Sequence, residues 1–207
     1  MPELTIESFC GGLFQTNGYV VRSGDWTYLF DAPEGVADWM DGRGWRPDGL
    51  ILTHHHHDHV LDAGIVQERF GCPIWAWAET SEDLTLIRGL ERMMGFPMSL
   101  DPYKVTHLLA GESRLELPGI VCDLLHVPGH SPDSVCFLLE GAGTLIGGDV
   151  LFRGGIGRTD FPNGDHDLLL AGIRSNLWPL PEETVILPGH GPGTTIGREK
   201  RSNPFLT

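Results

Sequence analysis

The sequence predicts an α+β fold whose order of elements fits two β-sheets packed face to face with helices outside, and three observations point to the α+β class. Short apolar runs recur in two halves of similar grammar. The 28 glycines and 15 prolines fall between those runs, as tight turns between strands require. Stretches of helical periodicity then separate some strands from the next. At 207 residues and 41% hydrophobic content, the chain can bury a sizeable core without staples. No stretch reads as a linker, so one domain over residues 1–207 is expected.

The elements follow in order. Leu4–Cys10, Tyr19–Arg22 and Trp26–Phe30 read as antiparallel strands, and Pro33–Asp41 as a short helix. Gly49-Leu50-Ile51-Leu52 is a buried strand that ends in a loop. His59–Phe70 reads as one helix, because Leu61, Ile65, Val66 and Phe70 can share an apolar face. Pro73–Trp77 is a strand, and Ser81-Glu82-Asp83 opens a helix with acidic groups at its positive end. The second half has strands around Leu115, at Ile120–His126, Val135–Leu139, Thr144–Ile146 and Thr184–Leu187, with a helix within Asp165–Leu177. Leu90, Met93, Met94, Phe96, Pro97 and Met98 form a Met-rich segment that by default packs on the core; a flexible lid or a substrate wall is the alternative.

Chemistry concentrates in Thr53-His54-His55-His56-His57-Asp58-His59. So many imidazoles and a carboxylate at one strand tip are costly to hold together without a cation, and they are the ligands Zn²⁺ or Fe²⁺ prefers. A polyhistidine tag would sit at a terminus and lack the embedded Asp. In an extended loop alternate side chains share a face. His54 and His56 can therefore grip one metal, while Asp58 and His59, where the chain turns, reach a second. His55 and His57 face away, as neighbours of the ligands or as exposed groups. Three further strand ends carry ligand types beside glycines, which let the backbone approach closely. These are His130 in Val127-Pro128-Gly129-His130-Ser131, Asp149 after Leu145-Ile146-Gly147-Gly148, and His190 in Pro188-Gly189-His190-Gly191. His126 can orient a ligand or be a surface group at a strand end; His107 and His166 are read as solvated.

Composition excludes several classes. The formal charge is −14, and Arg198, Lys200 and Arg201 form the one basic cluster, so a nucleic-acid partner is not expected. That cluster reads as a solvated helix face. No apolar run approaches membrane length and Met1-Pro2-Glu3-Leu4 does not begin a signal peptide, so a cytoplasmic location without a membrane partner is expected. Cys10, Cys72, Cys122 and Cys136 are scattered among apolar residues and read as buried, reduced thiols.

The pattern H-x-H-x-D-H at 54–59 resembles the signature of the metallo-β-lactamase superfamily at every specified position. The resemblance implies the αββα topology, which the order of elements fits but does not establish. It also places His130 on the first metal, His190 on the second and Asp149 as the bridge. Gly148-Asp149-Val150-Leu151-Phe152, Gly157-Arg158-Thr159-Asp160-Phe161-Pro162 and Asn203-Pro204-Phe205 resemble the glyoxalase II group, in its short bacterial form. Classical members carry a further helical region that supplies much of the glutathione site, and this sequence stops before it. Pro132-Asp133-Ser134 departs from the commoner Pro-Gly-Ser of the group.

The resemblance thus implies a hydrolase with two divalent metal ions, zinc first, with iron or manganese as alternatives. Its substrate would be a small-molecule thioester such as S-lactoylglutathione, cleaved by a hydroxide that bridges the metals and that Asp58 orients. A thiol leaves with little acid assistance, because its pKa is about 8.5. Arg158 either pairs with Asp160 or aligns the substrate. Persulfide dioxygenases share the Gly-Arg-Thr-Asp-Phe run and are the competing expectation, with one iron on His54, His130 and Asp149. A thiolate-containing β-lactamase site would need a Cys that no relevant strand tip offers.

Overall fold

The computed structural model describes residues 4–206, so the reading of the first three residues lies outside it. Contacts divide the chain into two compact units, one up to Ala110 and one from Gly111.

The first unit holds strands β1 (Leu4–Gly11), β2 (Thr16–Ser23), β3 (Trp26–Phe30), β4 (Gly49–Ile51), β5 (Ile74–Ala76) and β6 (His107–Leu108) in one mixed sheet of that order. β1 to β3 are antiparallel; β3 to β6 run parallel. Its helices are α1 (Val36–Asp41), α2 (His57–Val60), α3 (Ala63–Phe70), α4 (Glu82–Thr85) and α5 (Ile87–Met94). Val20, Leu29, Leu50 and Ile74 from the sheet pack with Val36, Met40, Val60 and Val66 from the helices. Burial on that scale supplies the main stabilisation, on the order of 1.5–3 kcal/mol for each large aliphatic side chain. Gly11 closes the β1–β2 hairpin opposite Thr16. A Cβ there would sit 2.2 Å from the Glu34 carbonyl oxygen, so only glycine lets the hairpin end lie against Glu34.

The helix expected over His59–Phe70 is in fact two. The Ala32 N–H donates to the His59 carbonyl, and the Asp62 N–H donates to the Ala32 carbonyl. The Asp62 carboxylate accepts from the N–H groups of Gly35 and Ala37, at 3.0 Å each, and so caps the start of α1. These bonds to the 32–37 segment replace the helical ladder between α2 and α3. They also shorten the helix expected from Pro33, which begins at Val36.

The second unit holds β7 (Arg114–Leu117), β8 (Ile120–His126), β9 (Val135–Leu139), β10 (Thr144–Gly148), β13 (Val185–Pro188) and β14 (Thr194–Thr195), ordered β14-β13-β10-β9-β8-β7. A small hairpin, β11 (Leu151–Phe152) and β12 (Gly155–Ile156), lies between β10 and helix α6 (His166–Gly172), and α7 (Ile196–Ser202) follows β14. Only β10 and β13 pair in parallel, with α6 on the crossover between them. Val127, Leu145, Leu169, Ile173, Leu177 and Ile186 form this unit's core.

Topology decides where the strand ends go. β10 and β13 run the same way and β9 runs against β10, so the end of β8, the start of β9 and the ends of β10 and β13 share one edge. His130, Asp149 and His190 all emerge there. No helix of the described residues is long and apolar enough to cross a membrane.

Candidate metal centre

In the first unit β3 and β4 are parallel neighbours, so Asp31 leaves β3 beside Thr53 at the tip of β4. The Asp31 carboxylate accepts from the Thr53 N–H and from its hydroxyl, both at 2.8 Å. Its Oδ2 also lies 2.8 Å from His59 Nδ1. Thr53 Oγ1 in turn lies 3.0 Å from His54 Nδ1.

These contacts fix the tautomers. An ionised carboxylate only accepts, so His59 Nδ1 carries a proton, and in the neutral imidazole Nε2 carries the lone pair. The Thr53 hydroxyl hydrogen is committed to Asp31, so its oxygen accepts from His54 Nδ1–H, and His54 too presents an Nε2 lone pair. His54 and His56 lie with ring centroids 4.6 Å apart, and His54 and His59 4.2 Å apart. The ligand atoms of His54 and His56, of His54 and His59, and of Asp58 and His59 lie within 4.8 Å of each other. Asp58 opens α2 together with His57, and the Thr16 hydroxyl donates to its Oδ2 at 2.6 Å.

The second unit repeats the device. The Arg158 carbonyl oxygen lies 2.8 Å from His130 Nδ1. A carbonyl can only accept, so Nδ1 is the donor here, and in the neutral imidazole the lone pair falls on Nε2. That Nε2 lies 3.4 Å from Asp149 Oδ2, and His190 Nε2 lies 3.3 Å from the same oxygen. Gly157 makes room for this: a Cβ there would stand 2.0 Å from the Asp149 carbonyl oxygen and 3.0 Å from the His130 Cβ. Two ligand atoms on one tetrahedral zinc, each about 2.0–2.1 Å from it, are about 3.4 Å apart. The spacing is that of ligands sharing an ion. With neutral imidazoles a lone pair would face a carboxylate oxygen, a repulsion that a cation between them reverses. The donor set therefore fits divalent metal, with one oxygen of Asp149 equally near two histidines.

Asp31 and Thr16 escaped the sequence reading, in which Thr53 stands within the histidine run without a role. Asp31 does stand directly after an apolar strand, the same signal that singled out Asp149, and its φ of 57° marks a sharp turn. Replacing Asp31 with Asn should weaken metal affinity about 10- to 100-fold, because partners of this kind orient the ligating imidazoles. Competition with a chelator dye measures it; unchanged affinity would remove Asp31 from the account.

His55 and His57 are both buried, so of their two readings the exposed one does not hold. His55 stacks on the Tyr103 ring at 6.1 Å, and His57 Nε2 lies 3.2 Å from the Ser99 carbonyl oxygen. Alanine at either position should leave metal content near the parent's while lowering the melting temperature. Metal loss equal to that of His56→Ala would show that facing direction does not separate ligand from neighbour. His126 Nε2 lies 2.9 Å from the Pro132 carbonyl oxygen, tying together the two ends of the turn that carries His130. His107 is exposed and stacks on Trp75 at 4.7 Å; His166 is exposed at the start of α6.

The Arg158 side chain grips Asp160 through two 2.7 Å hydrogen bonds and lies 3.9 Å over the Phe161 ring. That hydrogen-bonded guanidinium holds the Asp160 carboxyl down at about 2. Asn203 and Glu199 account for part of the Asn-Pro-Phe signature. Asn203 donates to the Gly155 carbonyl and to Glu199, which accepts from the Gly154 N–H, so both pin the hairpin after Asp149. Cys72, Cys122 and Cys136 are buried, and burial pushes their thiols up to about 11, 12 and 12, so they stay protonated at neutral pH. Cys10 is exposed on edge strand β1, contrary to expectation.

A profile of the metallo-β-lactamase superfamily matches residues 11–190, and the chain belongs to that superfamily. A curated relative, the hydroxyacylglutathione hydrolase GloC of Haemophilus influenzae, is 43% identical over 161 residues, covering 76% of this chain and 74% of the relative. Among solved structures, BLEG-1, described as a B3 metallo-β-lactamase, superposes with a TM-score of 0.88 at 36% identity, over 98% of this chain and all of the other. TTHA1623 in a di-iron-bound form superposes with a TM-score of 0.81 at 36% identity, over 97% of this chain and all of the other. The two mixed sheets with their helices are the metallo-β-lactamase fold, and the chain is a metal-dependent hydrolase of that superfamily.

Proposed function

We propose that this chain is a binuclear thioesterase acting on acyl-glutathione thioesters, S-lactoylglutathione among them. His54, His56 and His130 would hold one divalent ion, Asp58, His59 and His190 the other, with Asp149 shared between them. One observation carries the binuclear reading: Asp149 Oδ2 stands 3.4 Å from His130 Nε2 and 3.3 Å from His190 Nε2. The GloC relative supports the substrate class. Zinc suits the ligand set, and the di-iron form of TTHA1623 keeps iron as the alternative.

When bound, such ions polarise a carbonyl and lower the pKa of water to near neutrality. The side chains supply direction. Asp58, held by the Thr16 hydroxyl, orients the attacking water and accepts its proton. Asp31 and Thr53 keep His59 and His54 from rotating. The departing thiolate, of pKa near 8.5, needs no dedicated acid, which agrees with a site that offers no obvious one.

Paired assays test the proposal on protein of known metal content. S-lactoylglutathione should be cleaved to lactate and glutathione without oxygen uptake. Oxygen consumption with glutathione persulfide and no thioester cleavage would replace the hydrolase with a dioxygenase.

A further inference from the structure

We infer that the first unit carries an acyl-binding pocket that selects apolar, uncharged acyl groups; this rests on the thioesterase reading. The pocket is a cavity of about 130 Å³ that shares Asp58 with the candidate metal centre. Leu13 and Phe14 of the β1–β2 loop line it together with Leu61, Phe96 and Met98. The Met-rich segment is thus a wall rather than core. Of its side chains Leu90 is buried, while Met93 is 57% and Phe96 48% exposed. Leu13 is 65% exposed, and so large an apolar group kept in water at a loop tip beside a cavity is suited to contacting a ligand.

Charge decides which end of a thioester enters. Among the described residues no lysine or arginine lines this cavity, and its only carboxylates are Glu34 and Asp58. The opening beside it adds Asp62 and Asp101 and again no lysine or arginine; His57 lines both. A glutathionyl group carries two carboxylates and one ammonium, a net negative charge, and would meet Glu34 and Asp58 with no lysine or arginine to offset it. The acyl group is the uncharged end. A cavity on the order of 150 Å³ accommodates benzene, so this one suits about five or six carbons, and lactoyl leaves it underfilled.

The position of the pocket gives it leverage. Thr16, which holds Asp58, follows the loop of Leu13 and Phe14 directly, and that loop is fastened at Gly11 against Glu34. An acyl chain lodged there fixes the carbonyl carbon relative to the carboxylate that directs the water. Chain length should then act on kcat/KM through both binding and position.

The test compares glutathione thioesters that differ only in the acyl group: lactoyl, acetyl, butanoyl, hexanoyl and succinyl. Each methylene that becomes buried should raise kcat/KM about two- to fourfold, so that hexanoyl exceeds acetyl by tenfold or more. Phe14→Ala combined with Phe96→Ala should bring the hexanoyl-to-acetyl ratio down toward one. Leu13→Lys should raise succinyl relative to acetyl, a gain that a misfolded protein cannot imitate. Calorimetry on metal-free protein gives a second readout, with S-hexylglutathione binding at least tenfold tighter than S-methylglutathione. A flat acyl series with active hydrolysis would overturn the pocket and leave the thioesterase standing. Tight S-hexylglutathione binding without cleavage of any thioester would do the reverse. Absence of both cleavage and binding would overturn both.

Discussion

Asp149→Ala should leave the protein with far less than one metal ion per chain and lower thioester hydrolysis by roughly a thousandfold or more. The expectation follows from one oxygen serving two imidazoles, His130 at 3.4 Å and His190 at 3.3 Å. Loss of an ordinary ligand strips one ion; loss of a shared one strips both. The variant should still fold, because Asp149 sits after β10 and not among the residues of the apolar core. Circular dichroism together with elemental analysis separates metal loss from unfolding. A folded variant that retains both ions would show that Asp149 does not bridge.

Asp58→Asn should lower turnover roughly 100- to 1,000-fold while KM changes much less. On the proposed reading the carboxylate directs water and takes its proton, and an amide cannot take it, whereas the carbonyl-binding groups survive. Asp58 is also proposed as a ligand, so rate and metal content must be read on the same sample. A fall in rate that only tracks metal loss would assign Asp58 to coordination alone. Thr16→Val supplies a graded comparison, since it removes the 2.6 Å hydrogen bond and leaves the carboxylate in place. It should cost turnover less than Asp58→Asn does.

The sequence revealed most of what is local. Each ligand candidate follows an apolar run, and the run ends where the strand ends, as at Ile51, His126, Gly148 and Pro188. Alternation brought out the neighbouring rings of His54 and His56, because the chain is extended there and becomes helical only at His57. What escaped depends on partners far along the chain. Asp31 reaches Thr53 and His59 across 22 and 28 residues, and Thr16 reaches Asp58 across 42. The break between α2 and α3 is of the same kind, since Asp62 bonds Ala37 from 25 residues away while local periodicity still favoured helix. His55 and His57 were half legible. Their direction came from spacing, but their burial comes from Tyr103 and from the Ser99 backbone, which no local pattern announces.

The central claim is a two-metal centre built on a shared Asp149, and metal stoichiometry tests it most directly. Elemental analysis of protein purified without added metal should give two divalent ions per chain in the parent and about one in His190→Ala. One iron per chain in both proteins would contradict the binuclear account.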